Sequence, residues 1–379
     1  MSQTAQGETC CRETGGLRTT AGKTQLKYQV IPMKDIIRVL VVDDSPTIQA
    51  ILVSMLQDTP GFEVVGQARD GEDAVRLTSR LRPDVITMDI RMPRMDGLEA
   101  TRKIMSTTPT PIVVITSAVY DEDLNVAFNA IAAGALTVVE KPKGLGPEAY
   151  EAVRDQLVTT IRLMADVQVV TLWPDRQPPA KLPSTAADVE LIAIASSTGG
   201  PGVLRQILGA LPGDLSIPIA VVQHITPGFA HGFAQWLDSA TELRVTIAEH
   251  NELLAPGRVL IAPDDTHIIV ATGGIVRLDH SPPLRGLRPS ATHLFDSVAE
   301  TYGAAGVGVV LTGMGEDGAD GLENLRRAGG CIIAQDADSC VVFGMPKEAI
   351  EREIVDHVLS PDKIASLLNQ YDGRHKQNQ

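Results

Sequence analysis

Apolar residues along this chain fall in short, nearly continuous runs, and each run is followed by a segment with helical spacing. The first is IIRVLVVDD, followed by SPTIQAILVSMLQ. FEVVGQA then alternates with GEDAVRLTSRL, DVITMD with LEATRKIMS, PIVVITS with DEDLNVAFNAIAAG, and ALTVVEKP with PEAYEAVRDQLVTTIRLM. Strands that are apolar on both faces predict a parallel sheet covered by helices on both sides. The stretch TLWPDRQPPAKLPSTAAD, residues 171–188, is Pro-rich, polar and aperiodic, the signature of a linker. A second alternation follows through VELIAIAS, IPIAVVQH, RVTIAEH, RVLIAPDD, GVGVVLTG and CIIAQD to a last helix near DKIASLLNQY. Within it, HIIVATGGIVRLDH predicts a hairpin turning at Gly273-Gly274. The expected fold class is therefore α/β, with two doubly wound parallel-sheet domains. Their expected bounds are 36–164 and 188–371, joined by a linker at 165–187, with a disordered extension at 1–35 and a tail at 372–379.

Composition adds exclusions. A net charge of −14 without a basic stripe argues against a nucleic-acid partner. No apolar run approaches the roughly 18 residues that would insert in a membrane. The first 30 residues are polar and lack the apolar centre of a secretory signal. The four cysteines are too unevenly placed for a disulfide framework or a zinc site. The expectation is a reduced, cytoplasmic protein.

In a doubly wound sheet, functional groups gather at the carboxyl ends of the strands. In the first domain those ends carry Asp43-Asp44, Asp89, Thr116-Ser117 and Lys141-Pro142. Converging carboxylates repel unless a cation neutralises them, and an all-oxygen set suits Mg²⁺. A lysine and a hydroxyl beside them suit a phosphoryl group, with Asp89 as the nucleophile that forms an acyl phosphate. Through VVDDSPT, DIRMPRMDG, ITSA and EKPK, residues 37–162 resemble the receiver domain of bacterial response regulators. The resemblance implies a flavodoxin-like domain with Asp89 as phosphoacceptor. It also implies a metal site of Asp43, Asp44, Asp89 and the Arg91 carbonyl, with Thr116 and Lys141 contacting the phosphoryl group. Two positions depart from the pattern. Val138 stands where receivers often carry an aromatic switch residue. Arg91 adds a positive charge beside the phosphorylation site and is expected to alter the rate of dephosphorylation.

The second domain repeats the arrangement with different groups. VELIAIAS ends in SSTGGPGVL, IPIAVVQH ends in His224, and GVGVVL runs into LTGMGEDGADG. Gly313, Gly315 and Gly318 spell G-x-G-x-x-G after a strand, with Asp336 further on, the spacing of a dinucleotide fingerprint. Against that reading, the loop comes late in the domain and leaves Ser197 and His224 unexplained. A hydroxyl, an imidazole and the carboxylate of Asp317 at three strand tips are the parts of an acyl-transfer triad. The order Ser–His–Asp, with Ala195 where a nucleophile elbow needs glycine, is not that of an α/β-hydrolase. Ser196 and Ser197 point to opposite faces, and only one of them can meet His224. The remaining histidines, His231, His250, His267, His280, His293, His357 and His375, are read as surface or structural.

Through IASSTGGP, QHITPGF, IAPDDTH, LRPSATHLFDS, LTGMGEDGADG and SCVVFGMPKEA, residues 188–370 resemble the catalytic domain of chemotaxis protein-glutamate methylesterases. The resemblance implies a Rossmann-like domain with Ser197 as nucleophile, His224 as base, Asp317 as orienting acid and the Met314 amide as oxyanion donor. The esterase reaction would need no cofactor. The implied function is removal of methyl groups from glutamate side chains of methyl-accepting chemotaxis receptors, together with glutamine deamidation. A receptor-coupled histidine kinase would be the phosphodonor, and the unphosphorylated receiver would cover the cleft. His224-Ile225-Thr226 departs from the family's His-Met-Pro, and Ala195-Ser196-Ser197 from its Gly-Ala-Ser. The alternative is a receiver fused to a nucleotide-binding or non-catalytic module.

Overall fold

The structure is a computed structural model that describes residues 36–116, 121–142, 147–167 and 189–372. The expected N-terminal extension, Ser117 and most of the linker and tail lie outside the described residues.

The first domain runs β1 (Ile37–Val42), α1 (Pro46–Gln57), β2 (Phe62–Ala68), α2 (Gly71–Leu81), β3 (Val85–Met88), α3 (Gly97–Thr107), β4 (Ile112–Thr116), α4 (Asp121–Ala132), β5 (Thr137–Glu140) and α5 (Pro147–Ala165). Three of its helices, α1, α2 and α3, begin where the sequence supplies caps. Ser45 precedes a proline at the start of α1, and the carboxylates of Asp70 and Asp96 accept the amides of Asp73 and Glu99 at 2.9 and 2.8 Å. The strands pair in parallel in the order β2-β1-β3-β4-β5. That order sets the ends of β1, β3, β4 and β5 side by side, so Asp43, Asp89, Thr116 and Lys141 share one edge.

The second domain runs β6 (Leu191–Ser196), α6 (Gly200–Gly209), β7 (Ile219–Gln223), α7 (Ala230–Asp238), β8 (Arg244–Ile247), β9 (Arg258–Ile261), β10 (His267–Ala271), β11 (Ile275–Asp279), α8 (Ala291–Thr301), β12 (Gly306–Val310), α9 (Ala319–Arg327), β13 (Cys331–Gln335), α10 (Met345–Glu351), β14 (His357–Leu359) and α11 (Pro361–Tyr371). Seven strands form a parallel sheet in the order β14-β13-β12-β6-β7-β9-β8, and β10 and β11 form a separate antiparallel hairpin. Gly273 and Gly274 both take positive φ in its turn, as the sequence requires. The three strands that carry candidate chemistry, β12, β6 and β7, are adjacent. The inner strands of both parallel sheets are buried on both faces, which explains their unbroken apolar runs.

The two domains meet through α4, which lies against α6 and α7. Phe128 of α4 is fully buried, with ring centroids 5.5 Å from both Phe233 and Trp236 of α7. The Trp236 indole N–H donates to Asn129 Oδ1 at 3.1 Å, and the Arg205 guanidinium lies over the Trp236 ring at 5.3 Å. Burial of such rings contributes about 1.5–3 kcal/mol each. One apolar cluster runs from the receiver core through this contact into the second domain.

Backbone packing around Asp89 leaves no room for a methyl group at Gly97. A Cβ there would lie 2.0 Å from the Asp89 carbonyl oxygen. Gly97→Ala should therefore destabilise the receiver by about 1–3 kcal/mol, read as a lowered urea midpoint. An unchanged midpoint would contradict this packing.

Candidate active site

The site is built outward from the end of β6. Ser196 is the last residue of that strand, fully buried, and its hydroxyl donates to Gln223 Oε1 at 2.7 Å. Ser197 comes next, half-buried, at the mouth of a cleft. Ser196 thus faces the interior and Ser197 faces the cleft. The amide of Ser197 donates to the Thr312 carbonyl at 3.0 Å, and its carbonyl accepts the Gly200 amide at 2.9 Å. Gly199 turns the chain into α6 with φ of 79°, and a Cβ there would collide with Val341.

At the end of β7, the His224 amide donates to the Ser196 carbonyl at 2.9 Å. Its ring Nε2 lies 2.9 Å from Asp317 Oδ2, which leaves Nδ1 as the second ring nitrogen. Asp317 is buried and sits at the N-terminus of α8. It accepts from the Ser290 hydroxyl at 2.7 Å, the Ala291 amide at 2.6 Å and the Thr292 hydroxyl at 3.0 Å. Burial alone would push its carboxyl up. The bond and charge of His224, with the Ser290 and Ala291 donors, outweigh burial and hold it well below the usual carboxylate range. Glu316 behaves differently: it is exposed and pairs with Arg285 on the surface.

The glycines that imitate a dinucleotide fingerprint are accounted for by packing around this site. A Cβ on Gly313 would stand 2.7 Å from Ser197 Cβ, and Gly318 turns the chain at φ 95° beside Phe295. The Met314 amide has no acceptor among the described residues, and its side chain is exposed. No hydrogen bond joins Ser197 Oγ to His224 among the described residues. His267 is fully buried, packs against His293 with tilted rings and centroids 4.1 Å apart, and accepts the Ser290 amide, a structural role behind Asp317.

In the receiver, Lys141 Nζ bridges Asp43 and Asp89, 2.8 Å from each. Burial opposes its charge, but the two carboxylates outweigh burial and raise its pKa above the ordinary value. Asp89 is shifted up to about 6, chiefly by burial, with Lys141 opposing. Carboxylate oxygens of Asp43, Asp44 and Asp89 lie within 4.8 Å of one another, and Asp44 is exposed. A hard-oxygen cluster open to water on one side fits Mg²⁺. Thr116 is buried at the neighbouring strand end. The Arg91 side chain is exposed beside the site.

Receiver residues form one wall of the cleft at Ser197 and His224. A cavity of about 240 Å³ is lined by Ser197, Thr198 and His224 on one side and by Phe128, Ile131 and Val138 on the other. Two departures from the family patterns meet here, since Thr226 Oγ1 lies 3.5 Å from the Val138 carbonyl.

Both domains resemble known proteins. The family model for the CheB methylesterase matches residues 192–368, and that for the response regulator receiver domain matches residues 39–147. A protein-glutamate methylesterase/protein-glutamine glutaminase of Myxococcus xanthus is 46% identical over 343 residues, covering 88% of this chain and 96% of the relative. One from Geobacter metallireducens is 45% identical, covering 88% and 98%. The chain belongs to the CheB methylesterase family. The catalytic domain of Thermotoga maritima CheB is 43% identical and covers 48% of this chain and 98% of its own, with a TM-score of 0.47. Both domains are parallel-sheet α/β folds, and a receiver precedes the methylesterase domain, as expected. Among the described residues, no helix is long and apolar enough to cross a membrane.

Some of this site was not legible beforehand. Gln223, Ser290 and Thr292 lie in the quoted motifs QHITPGF and LRPSATHLFDS, yet nothing in their spacing reveals which groups they bind. The available signal was Ser290 itself, a helix-capping residue type before an apolar helical pattern.

Asp317 gives a pH-dependent expectation. Its folded pKa lies below the ordinary value of 3.8, so the stability it contributes is present above that value and is lost as pH falls through the folded pKa. The urea midpoint of the native protein should exceed that of Asp317→Asn near neutrality, and the gap should narrow as pH falls below about 4. A gap that stays constant down to pH ~3 would contradict the assignment.

Proposed function

We propose that this chain is a phosphorylation-activated protein-glutamate methylesterase, and a protein-glutamine deamidase, acting in the cytoplasm on methyl-accepting chemotaxis receptors. The observation that carries the reading is the pairing of His224 with buried Asp317 at the strand ends flanking Ser197. Ser197 Oγ attacks the γ-carbonyl carbon of a glutamate methyl ester. His224 takes the hydroxyl proton at Nδ1, because Nε2 faces Asp317, which holds the ring and its charge. The Met314 amide donates to the oxyanion of the tetrahedral intermediate; the Ser197 amide is already engaged with Thr312. Collapse breaks the bond to methoxide, which leaves as methanol with the proton from His224. Water, deprotonated by His224, then cleaves the acyl-enzyme to glutamate. With glutamine the same steps release ammonia.

The receiver supplies control. Asp43, Asp44, Asp89 and the Arg91 carbonyl would hold Mg²⁺, which supplies positive charge for the phosphoryl oxygens. Thr116 and Lys141 contact the phosphoryl group once a chemotaxis histidine kinase has donated it to Asp89. The resting arrangement supports a covered cleft, with Phe128 and Ile131 over Ser197. β5 carries Val138 against the catalytic loop and leads into Lys141, so a phosphoryl group that re-engages Lys141 acts on the same strand that closes the cleft. Activation is a shift of population from covered to open arrangements.

Methanol release from methylated receptor membranes tests both halves. Ser197→Ala should lose it by roughly 10⁴-fold or more. Asp89→Asn should keep basal release and gain nothing from a phosphodonor. Methanol release at the native rate from Ser197→Ala would overturn the triad. Full activation of Asp89→Asn would overturn the control.

A further inference from the structure

We infer that Gln223 is a positioning residue for the methylesterase reaction, an amide clamp that fixes the main chains of the nucleophile and the base relative to one another. The inference rests on the proposed function and adds to it a residue with no role so far. The parallel ladder between β6 and β7 ends at the pair Ser196 and Gln223. Beyond it the chains diverge, one into α6 and the other into the loop after His224. The last main-chain bond between them is His224 N–H to the Ser196 carbonyl.

The Gln223 side chain extends the ladder one step further. Its Nε2 donates to the Ser197 carbonyl at 2.8 Å and to the His224 carbonyl at 2.8 Å. Its Oε1 accepts the Ser196 hydroxyl at 2.7 Å. One planar, 4% exposed amide is thereby bonded at both ends and ties together three consecutive points of the site. Glutamate has no N–H to give two carbonyls, and asparagine is one methylene shorter. The clamp also explains Gly200, because a Cβ there would lie 2.4 Å from Oε1 and 2.7 Å from Ser196 Cβ.

The clamp matters because Ser197 Oγ has no hydrogen bond to His224 among the described residues. Their approach is set by the backbone. Asp317 anchors the ring of His224, and Thr312 anchors the Ser197 amide. Gln223 joins those two anchored halves. A misplacement of about 1 Å between reacting groups can cost roughly 10²-fold in rate.

The test is p-nitrophenyl acetate turnover by the full-length protein with phosphodonor present, for Gln223→Met, Gln223→Glu, Ser196→Ala and Ser197→Ala. Gln223→Met keeps shape and loses both donors; Gln223→Glu keeps the acceptor and sets a carboxylate against two carbonyls. Both should slow the acylation burst and kcat by roughly 10- to 100-fold with KM within about twofold. Ser196→Ala, which frees only Oε1, should lose about 3- to 10-fold. Gln223→Met acylating within about twofold of the native rate, or losing only in KM, overturns the clamp. If Gln223→Met does not fold, Ser196→Ala carries the test, and a native burst there overturns the clamp. A native burst from Ser197→Ala would instead sink the triad, a separate failure.

Discussion

The structure of the catalytic domain hangs on one buried carboxylate. Asp317 lies in a loop that must turn sharply after β12, and it is removed from water, which by itself disfavours its charge. It is kept ionised because the first turn of α8 is aimed at it. Two hydroxyls and a helix N-terminal amide converge on its oxygens, and His224 approaches from the other side. That requirement explains several features at once. The cap residue Ser290 serves the carboxylate as well as its own helix. Thr292 holds both Asp317 and the Gly318 amide, so the loop and the helix are one unit. Gly318 must be glycine because the turn that delivers Asp317 needs positive φ beside Phe295.

The same logic of strand ends operates twice, with opposite consequences for solvent. In the receiver, carboxylates share a lysine at an edge where Asp44 remains exposed. In the catalytic domain, the carboxylate of Asp317 is paired inward, and Ser197 and His224 line the cleft. The two sites are joined physically by short elements. β5 ends beside Lys141, its middle touches the loop after His224, and α4 packs by Phe128 into the aromatic face of α7. An interface of this kind, part apolar and part polar, suits two discrete arrangements better than a graded one.

Most of the fold was legible because the inner strands of both parallel sheets are buried on both faces, so each of them prints an apolar run. The three-residue edge strand β14 has too little length to print anything. Candidate residues at strand tips were legible for a related reason, since topology alone makes those tips converge. The order β12-β6-β7 could not be read, yet it is what brings Asp317, Ser197 and His224 together. The contest between Ser196 and Ser197 turned on a partner across the sheet, Gln223, whose contact lies 27 residues along the chain. The glycine fingerprint was ambiguous because spacing reports a tight turn and not its reason. Here the reason is close packing against Ser197 and Phe295.

The central claim is that Ser197 is the nucleophile and that the receiver governs access to it. The most direct measurement is mass spectrometry of the intact chain during reaction with a fluorophosphonate, with and without a phosphodonor. The account predicts a single adduct on Ser197, formed several-fold faster when Asp89 is phosphorylated, by roughly the shift expected of a covered-to-open equilibrium. An adduct on another residue, or labelling of Ser197 at one rate in both states, would contradict it.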